Sequence, residues 1–361
     1  MTSRLSPPEH GTSIQDLVLQ IQNAGTPERV IEAGLNVPMA LAGLIRQGEP
    51  PLAVIRGASR ISDSITSRFI DLATLELGPP PLPFSFMVFG SAGREEQTLK
   101  TDQDNAIVYD DPAERDVVFV RNYFLGFGKK VCTWLNRSGY TFCKGENMAM
   151  NPRYCQPLSV WKTYFSQWVS GADMVDLLKF RIFFDFRKVF GENHHEEDLR
   201  NHLEASVSEN HRFFQILARN LLQYSAPLNF FGKFIVETEG PKRGGLNIKN
   251  ATIPIVDFAR IYAMRHRLRN VSTVERLDAL VDLDILDAQS QGLVIETFSD
   301  LLGFRLKSQA RAVGSAWASP SNHIFPESLE AGERKHLKEL LSRIRIFQSR
   351  LSYDFTGQAN F

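Results

Sequence analysis

The chain lacks most of what would mark a secreted or membrane protein. Its three cysteines, Cys132, Cys143 and Cys155, are an odd number with no CxxC spacing. That argues against a disulfide framework and a cysteine-rich zinc site, and it fits a reducing compartment. No uninterrupted apolar run approaches the ~20 residues a bilayer-spanning helix needs. The opening MTSRLSPPEHGTS has no apolar stretch of the kind that directs secretion. A cytoplasmic protein with no membrane partner is expected. Neither sign of charge prevails, because 41 Lys+Arg offset 41 Asp+Glu. No overall field therefore draws the chain to nucleic acid or to an anionic lipid surface. What remains, 43% hydrophobic and 23% charged residues over 361 positions, is the composition of a globular protein with one large domain or two to three smaller ones. The 26 phenylalanines point to aromatic cores.

Helical spacing dominates the first part. Ile14, Leu17, Val18 and Ile21 fall on one face, and Thr26-Pro27 reads as an N-cap followed by proline at the first helical position. Ile61, Ile65, Phe69 and Leu72 form another stripe, which Gly78 and Pro79-Pro80-Pro81 bring to an end. We therefore divide the chain into an N-terminal helical segment (1–78), a central domain (79–198) and a C-terminal helical domain (199–361). Strands are expected at Phe84 to Phe89 and Thr101 to Tyr109, and helices at Val117 to Leu135 and Val160 to Val169. Arg181 to Val189 reads as a strand or a buried helix end. The segment ETEGPKRGGLNIKN reads as a loop. Leu337, Leu340, Leu341, Ile344, Phe347 and Leu351 define the apolar face of a last helix.

The stretch FMVFGSAGREEQTLKTDQDNAIVY, Phe86 to Tyr109, carries the chemistry. An apolar strand ends at Gly90-Ser91, and about ten residues later Asp102 and Asp104 enter a second strand. Alternation places both aspartates on one side and Gln103 on the other. Adjacent carboxylates repel each other and resist desolvation unless a cation lies between them. A glycine at a strand end lets backbone N–H groups approach phosphate oxygens. Nucleotidyl transfer asks for this combination, since divalent ions bridge carboxylates and the triphosphate.

GSAGREEQTLKTDQDN resembles the signature of the DNA polymerase beta-type nucleotidyltransferase superfamily. More narrowly it is similar to the N-terminal catalytic region of protein-PII uridylyltransferases, and to a related bacterial family often fused to CBS or cyclic-nucleotide-binding modules. SRISDSITSRFIDLA upstream, and APLNFFGKF, IPIVDFARIYAMRH, STVERLDAL and FRLKSQ downstream, extend the likeness over nearly the whole chain from Pro38. The resemblance implies an α+β protein, with a nucleotidyltransferase-fold mixed β-sheet core flanked by an N-terminal helical segment and a C-terminal helical bundle. It implies two Mg²⁺ ions, replaceable by Mn²⁺, on Asp102, Asp104 and a third carboxylate. The segment FFDFRKVFG places Asp185 in that third position. It implies triphosphate binding by Gly90, Ser91, Gly93, Arg94 and Lys100, with Gln97, Gln103 and Asn105 in support. The expected reaction moves UMP or AMP from a nucleoside triphosphate to a protein hydroxyl in signal transduction. The alternative is a non-catalytic nucleotide-binding regulatory module.

Each residue has a plainer reading. Asp102 and Asp104 could sit at a solvated strand end, and Asp185 could pair with Arg181 or Arg187. Ser91 could simply cap a helix, and Arg94 and Lys100 could be surface charges. HHEED, from His194, has the residue types of a metal site, but no other cluster of ligands has suitable spacing, so it reads as a solvated loop. Trp161 to Trp168 reads as core. Relatives tend to carry glycine where this chain has Glu146, a departure that bears on any close backbone approach near Asn151-Pro152. No His-Asp dipeptide occurs, so the phosphohydrolase half of uridylyltransferases is not expected, and neither are CBS or cyclic-nucleotide-binding modules.

Overall fold

Six consecutive buried residues, FSFMVF, form the strand on which the molecule is organised. The computed structural model describes residues 13–171, 181–208, 210–224, 226–229, 231–313 and 320–358. Most of the opening segment read above for export signals lies outside them. Three helices come first: α1 (Ile14–Gln22), α2 (Pro27–Arg46) and α3 (Pro51–Leu77). Ser13 and Asp16 close a capping box at the start of α1. Thr26 has the extended backbone of an N-cap and Pro27 follows it, but its side chain makes no capping bond.

A four-stranded sheet follows, in the order β3-β2-β1-β4. Its strands are β1 (Phe84–Phe89), β2 (Asn105–Tyr109), β3 (Cys155–Pro157) and β4 (Phe186–Gly191). β1 runs antiparallel to β2, with Phe84 opposite Tyr109 and Val88 opposite Asn105. It also runs antiparallel to β4, with Phe89 opposite Phe186, while β3 joins β2 in parallel. Alternation along β1 assigns its two faces. Phe84 meets Phe124 and Phe127 of α5 (Val117–Arg137). On the other face Phe89 stacks on Trp161 of α6 (Leu158–Gly171), and Ser85 reaches His195 of α7 (Asn193–Val207). Both faces are thus covered by aromatic-rich helices, and Trp161 and Trp168 are core.

The C-terminal part is helical: α8 (His211–Leu221), α9 (Ile248–Arg265), α10 (Thr273–Asp282), α11 (Ala288–Ala312) and α12 (Ala331–Thr356). A two-stranded ribbon, β5 (Leu246–Asn247) with β6 (His323–Ile324), accompanies them. α11 lies against α2 and α3. All six residues expected on the apolar face of α12 are buried. Among the described residues, no helix is long and apolar enough to cross a membrane.

Candidate active site

The chain leaves β1 through a short helical turn, α4 (Gly90–Gly93). Gly90 takes φ +57°, the left-handed region that costs other residues strain. A Cβ there would rest 3.6 Å from Asp104 Oδ2, so backbone conformation rather than space asks for glycine. At Gly93 the requirement is space, because a Cβ would collide with the carbonyl oxygen of Asp185. The N–H groups of Arg94 and Glu96 donate to the carbonyls of Gly90 (3.0 Å) and Ser91 (2.8 Å), which closes the turn. Its first N–H groups have no acceptor within so short a helix, which suits a phosphate.

Asp102 and Asp104 lie just before β2, not inside it as expected. Two anchors hold them. Asp102 bridges Thr141, and the Gln103 N–H donates to the Thr141 carbonyl at 2.9 Å. The Asp104 carbonyl accepts from the Phe89 N–H, and the Asn105 N–H donates to Asn147 O, each at 3.0 Å. The expected alternation is present. Gln103 turns inward and donates from Nε2 to the carbonyls of Cys132 (2.9 Å) and Tyr140 (2.8 Å), while both aspartates stay half-buried. Burial, then the nearby Asp102 charge, pushes the Asp104 carboxyl up to about 7. Hydrogen bonds from Cys143 and Asn147 and the charge of Lys249 oppose that rise. An Asp104 carboxyl pushed up in this way is short of positive charge around it, and hard oxygen donors of this kind fit a divalent ion.

Asp185 is placed differently from what its strand reading implied. It sits in the bend before β4 at 1% exposure. Its Oδ2 accepts from Arg94 Nη1 at 2.6 Å and from Arg260 Nη2 and Nε at 2.5 and 3.1 Å. Arg276 Nη1 faces Oδ1 at 2.7 Å, off the axis of a hydrogen bond. Burial alone would raise this carboxyl, but Arg260, Arg276 and Arg94 outweigh it and hold it far below the ordinary range. Asp257, paired with Arg260 and with Arg181 (2.6 Å), extends the cluster. Glu96 extends it too, accepting from Arg94 Nε at 2.7 Å and from the Thr273 N–H at 2.8 Å. Two residues expected at the reacting centre, Arg94 and Asp185, therefore bind each other. Arg187 pairs with Asp63 and Glu95 instead of Asp185.

The remaining expected residues divide by exposure. Ser91 is half-buried in the turn, and Lys100 is exposed. Gln97 Nε2 donates to Thr101 Oγ1 at 3.4 Å, and Asn105 Oδ1 accepts from the Ala149 N–H at 2.8 Å. Glu146 takes φ +56°, so the backbone form that glycine favours persists here without it. Arg260 and Arg276 escaped the sequence reading, and so did two cations that act on the aspartate pair. Lys249, at the start of α9, acts on Asp104. The almost buried Arg305 of α11 feels Asp102, Glu96 and Arg94, and burial lowers its pKa to about 10. Their segments, GGLNIKN and FRLKSQ, were visible, but only folding brings them to the aspartates.

A strand-end glycine turn, two adjoining carboxylates and cations from the C-terminal helices make a setting suited to phosphate chemistry. The family model described as "Putative nucleotidyltransferase DUF294" matches residues 36–174. The model described as "Putative nucleotidyltransferase substrate binding domain" matches residues 211–355. The chain carries a DUF294 nucleotidyltransferase domain followed by its substrate-binding C-terminal domain. No curated protein matches it. Asp102, Asp104 and the Gly90 turn fall in the first DUF294 region, and Lys249, Arg260, Arg276 and Arg305 fall in the second.

Proposed function

We propose that this protein is a Mg²⁺-dependent nucleotidyltransferase that moves UMP or AMP from a nucleoside triphosphate to a protein hydroxyl in a cytoplasmic signalling pathway. The observation that carries the reading is the Asp102/Asp104 pair, short of positive charge and set beside the Gly90 turn. Mg²⁺ held there would neutralise the pair and draw charge from the triphosphate. The turn N–H groups and Ser91 would hold the phosphates, and Lys249 and Arg305 would offset their charge from the helical side. The acceptor oxygen attacks the α-phosphorus, the bond to the β-phosphate oxygen breaks, pyrophosphate leaves and the hydroxyl proton passes to solvent. Mg²⁺ commonly binds through one or two carboxylates plus phosphates and water, so Asp102 and Asp104 suffice. We assign Asp185, with its oxygens taken by arginines, to holding the Gly90–Arg94 turn against the C-terminal helices. That geometry also favours a second reading, a nucleotide-binding regulator that does not turn over.

Incubation with each α-labelled nucleoside triphosphate, Mg²⁺ and a bacterial lysate tests both. The transferase reading expects a labelled protein band and released pyrophosphate, both lost in Asp104→Asn. Tight calorimetric binding of Mg·NTP with neither product would establish the regulator. Neither binding nor label with any of the four nucleotides would refute both.

A further inference from the structure

The HHEED segment, read from sequence as a solvated loop, opens α7 instead, and His195 is completely buried beneath it. Its ring bridges two groups of the sheet. Nδ1 lies 2.8 Å from Ser85 Oγ on β1, and Nε2 lies 2.9 Å from Asp110 Oδ1 just past the end of β2. His194 Nε2 meets the same Asp110 oxygen at 2.8 Å. The three donor atoms lie within 4.8 Å of one another.

The hydrogens in this arrangement can be counted. Ser85 has one hydroxyl proton and donates it to the Glu192 carbonyl at 2.6 Å. Ser85 Oγ can then only accept from His195, which fixes the proton of a neutral ring on Nδ1. Nε2 is left with a lone pair facing a carboxylate oxygen, acceptor against acceptor at hydrogen-bond distance. Something positive belongs between them, either a proton or a metal ion. Nδ1–H given to a fixed acceptor, with Nε2 free, is also the way ligating histidines are usually oriented.

We propose that Asp110, His194 and His195 bind a borderline divalent transition-metal ion of the Zn²⁺ or Co²⁺ class, at a site separate from Asp102 and Asp104. Two imidazoles and one carboxylate select such an ion over Mg²⁺, which prefers oxygen. In a tetrahedral site with bonds of about 2.0–2.1 Å the ligand atoms stand roughly 3.3 Å apart, so the Asp110 oxygen, now 2.8 and 2.9 Å from the two ring nitrogens, needs to draw back from each by only about half an ångström. Side chains of His194 and Asp110 are 45% and 37% exposed, which gives the ion an entry path and leaves a fourth position for water. The two sites stand at opposite ends of β2, roughly 20 Å apart along the strand. An ion here would pin the start of α7 to the ends of β1 and β2.

Chelator-stripped full-length protein, kept in excess Mg²⁺ to occupy the oxygen site, is titrated with Co²⁺ by visible absorption and with Zn²⁺ by calorimetry. The expected result is a tetrahedral-type Co²⁺ band, one Zn²⁺ per chain, and thermal stabilisation that rises with Zn²⁺. His194→Ala trims a half-exposed side chain and leaves the core intact by circular dichroism. It is expected to weaken Zn²⁺ at least about 100-fold, the upper end of what losing an outer partner costs, and Asp110→Asn is expected to do likewise. Asp104→Asn should bind Zn²⁺ unchanged. Absence of a Co²⁺ band and of Zn²⁺ binding in the wild type would mean that a proton fills the gap, and the proposal fails. It fails equally if His194→Ala binds normally or if binding is lost with Asp104→Asn.

Discussion

Asp104 is half-buried and Asp185 fully buried, and substituting these two acids should have opposite consequences. Asp104 is disfavoured as an anion by burial and by Asp102, so Asp104→Asn removes a repulsion. Its expected effect is a melting temperature unchanged or slightly raised, with nucleotidyl transfer reduced at least about 100-fold, given the several kcal/mol a catalytic metal supplies. Label transfer beside a thermal melt reads both. Asp185 is held as an anion by three guanidiniums; Arg94 and Arg260 also pair with Glu96 and Asp257, whereas Arg276 faces Asp185 alone among the described carboxylates. Asp185→Asn leaves buried charge uncompensated and should cost about 3–5 kcal/mol. A carboxyl whose folded pKa is depressed contributes stability fully above its unfolded value of about 3.9 and loses it as pH falls toward the folded value. The stability gap between wild type and Asp185→Asn, from chemical denaturation, should therefore be constant above about pH 5 and narrow in more acidic buffer. A gap that is absent or widens in acid would return Asp185 to the pool of free carboxylates.

Among the elements, legibility followed the range of the forces involved. β1 and the face of α12 were readable because local apolar patterning defines them. β2 was read as starting too early, since the alternation of Asp102, Gln103 and Asp104 continues into a segment held by Thr141 and by β1 without ladder pairing. The partners of Asp185 are 75 and 91 positions away in the chain, and Asp110 is 85 from His195. No window of sequence contains such pairs, so Asp185 looked available and His195 looked solvated. The turn after β1 allows a sharper test. Gly90→Ala places a side chain in the left-handed region with ordinary room around it, a cost of roughly 1–2 kcal/mol. Gly93→Ala drives a methyl into the Asp185 and Val88 carbonyls. Its melting temperature should fall further than that of Gly90→Ala, and a smaller drop would mean that the turn is not clamped to β4.

Across the whole molecule, the buried ion cluster is also the seam between the two family-matched regions. Arg94 and Glu96 come from the first DUF294 region, Asp257, Arg260, Thr273 and Arg276 from the second, and Asp185 lies in the chain between them. Within this set the guanidiniums of Arg94, Arg181, Arg260 and Arg276 face the carboxylates of Glu96, Asp185 and Asp257, a surplus of positive charge to which Arg305 adds. Such a surplus favours an anion nearby, as the triphosphate would be. Buried charges of this kind tolerate separation badly, because each half would carry unpaired ions into its own unfolding. The two regions should therefore melt as one calorimetric transition, with van't Hoff and calorimetric enthalpies in agreement. Glu96→Ala cuts the links to Arg94 and to the Thr273 N–H at once, and it should split or broaden that transition. Two resolved transitions in the wild type would show that the seam does not couple the halves, and the placing of Lys249 and Arg305 over the aspartates would lose its support.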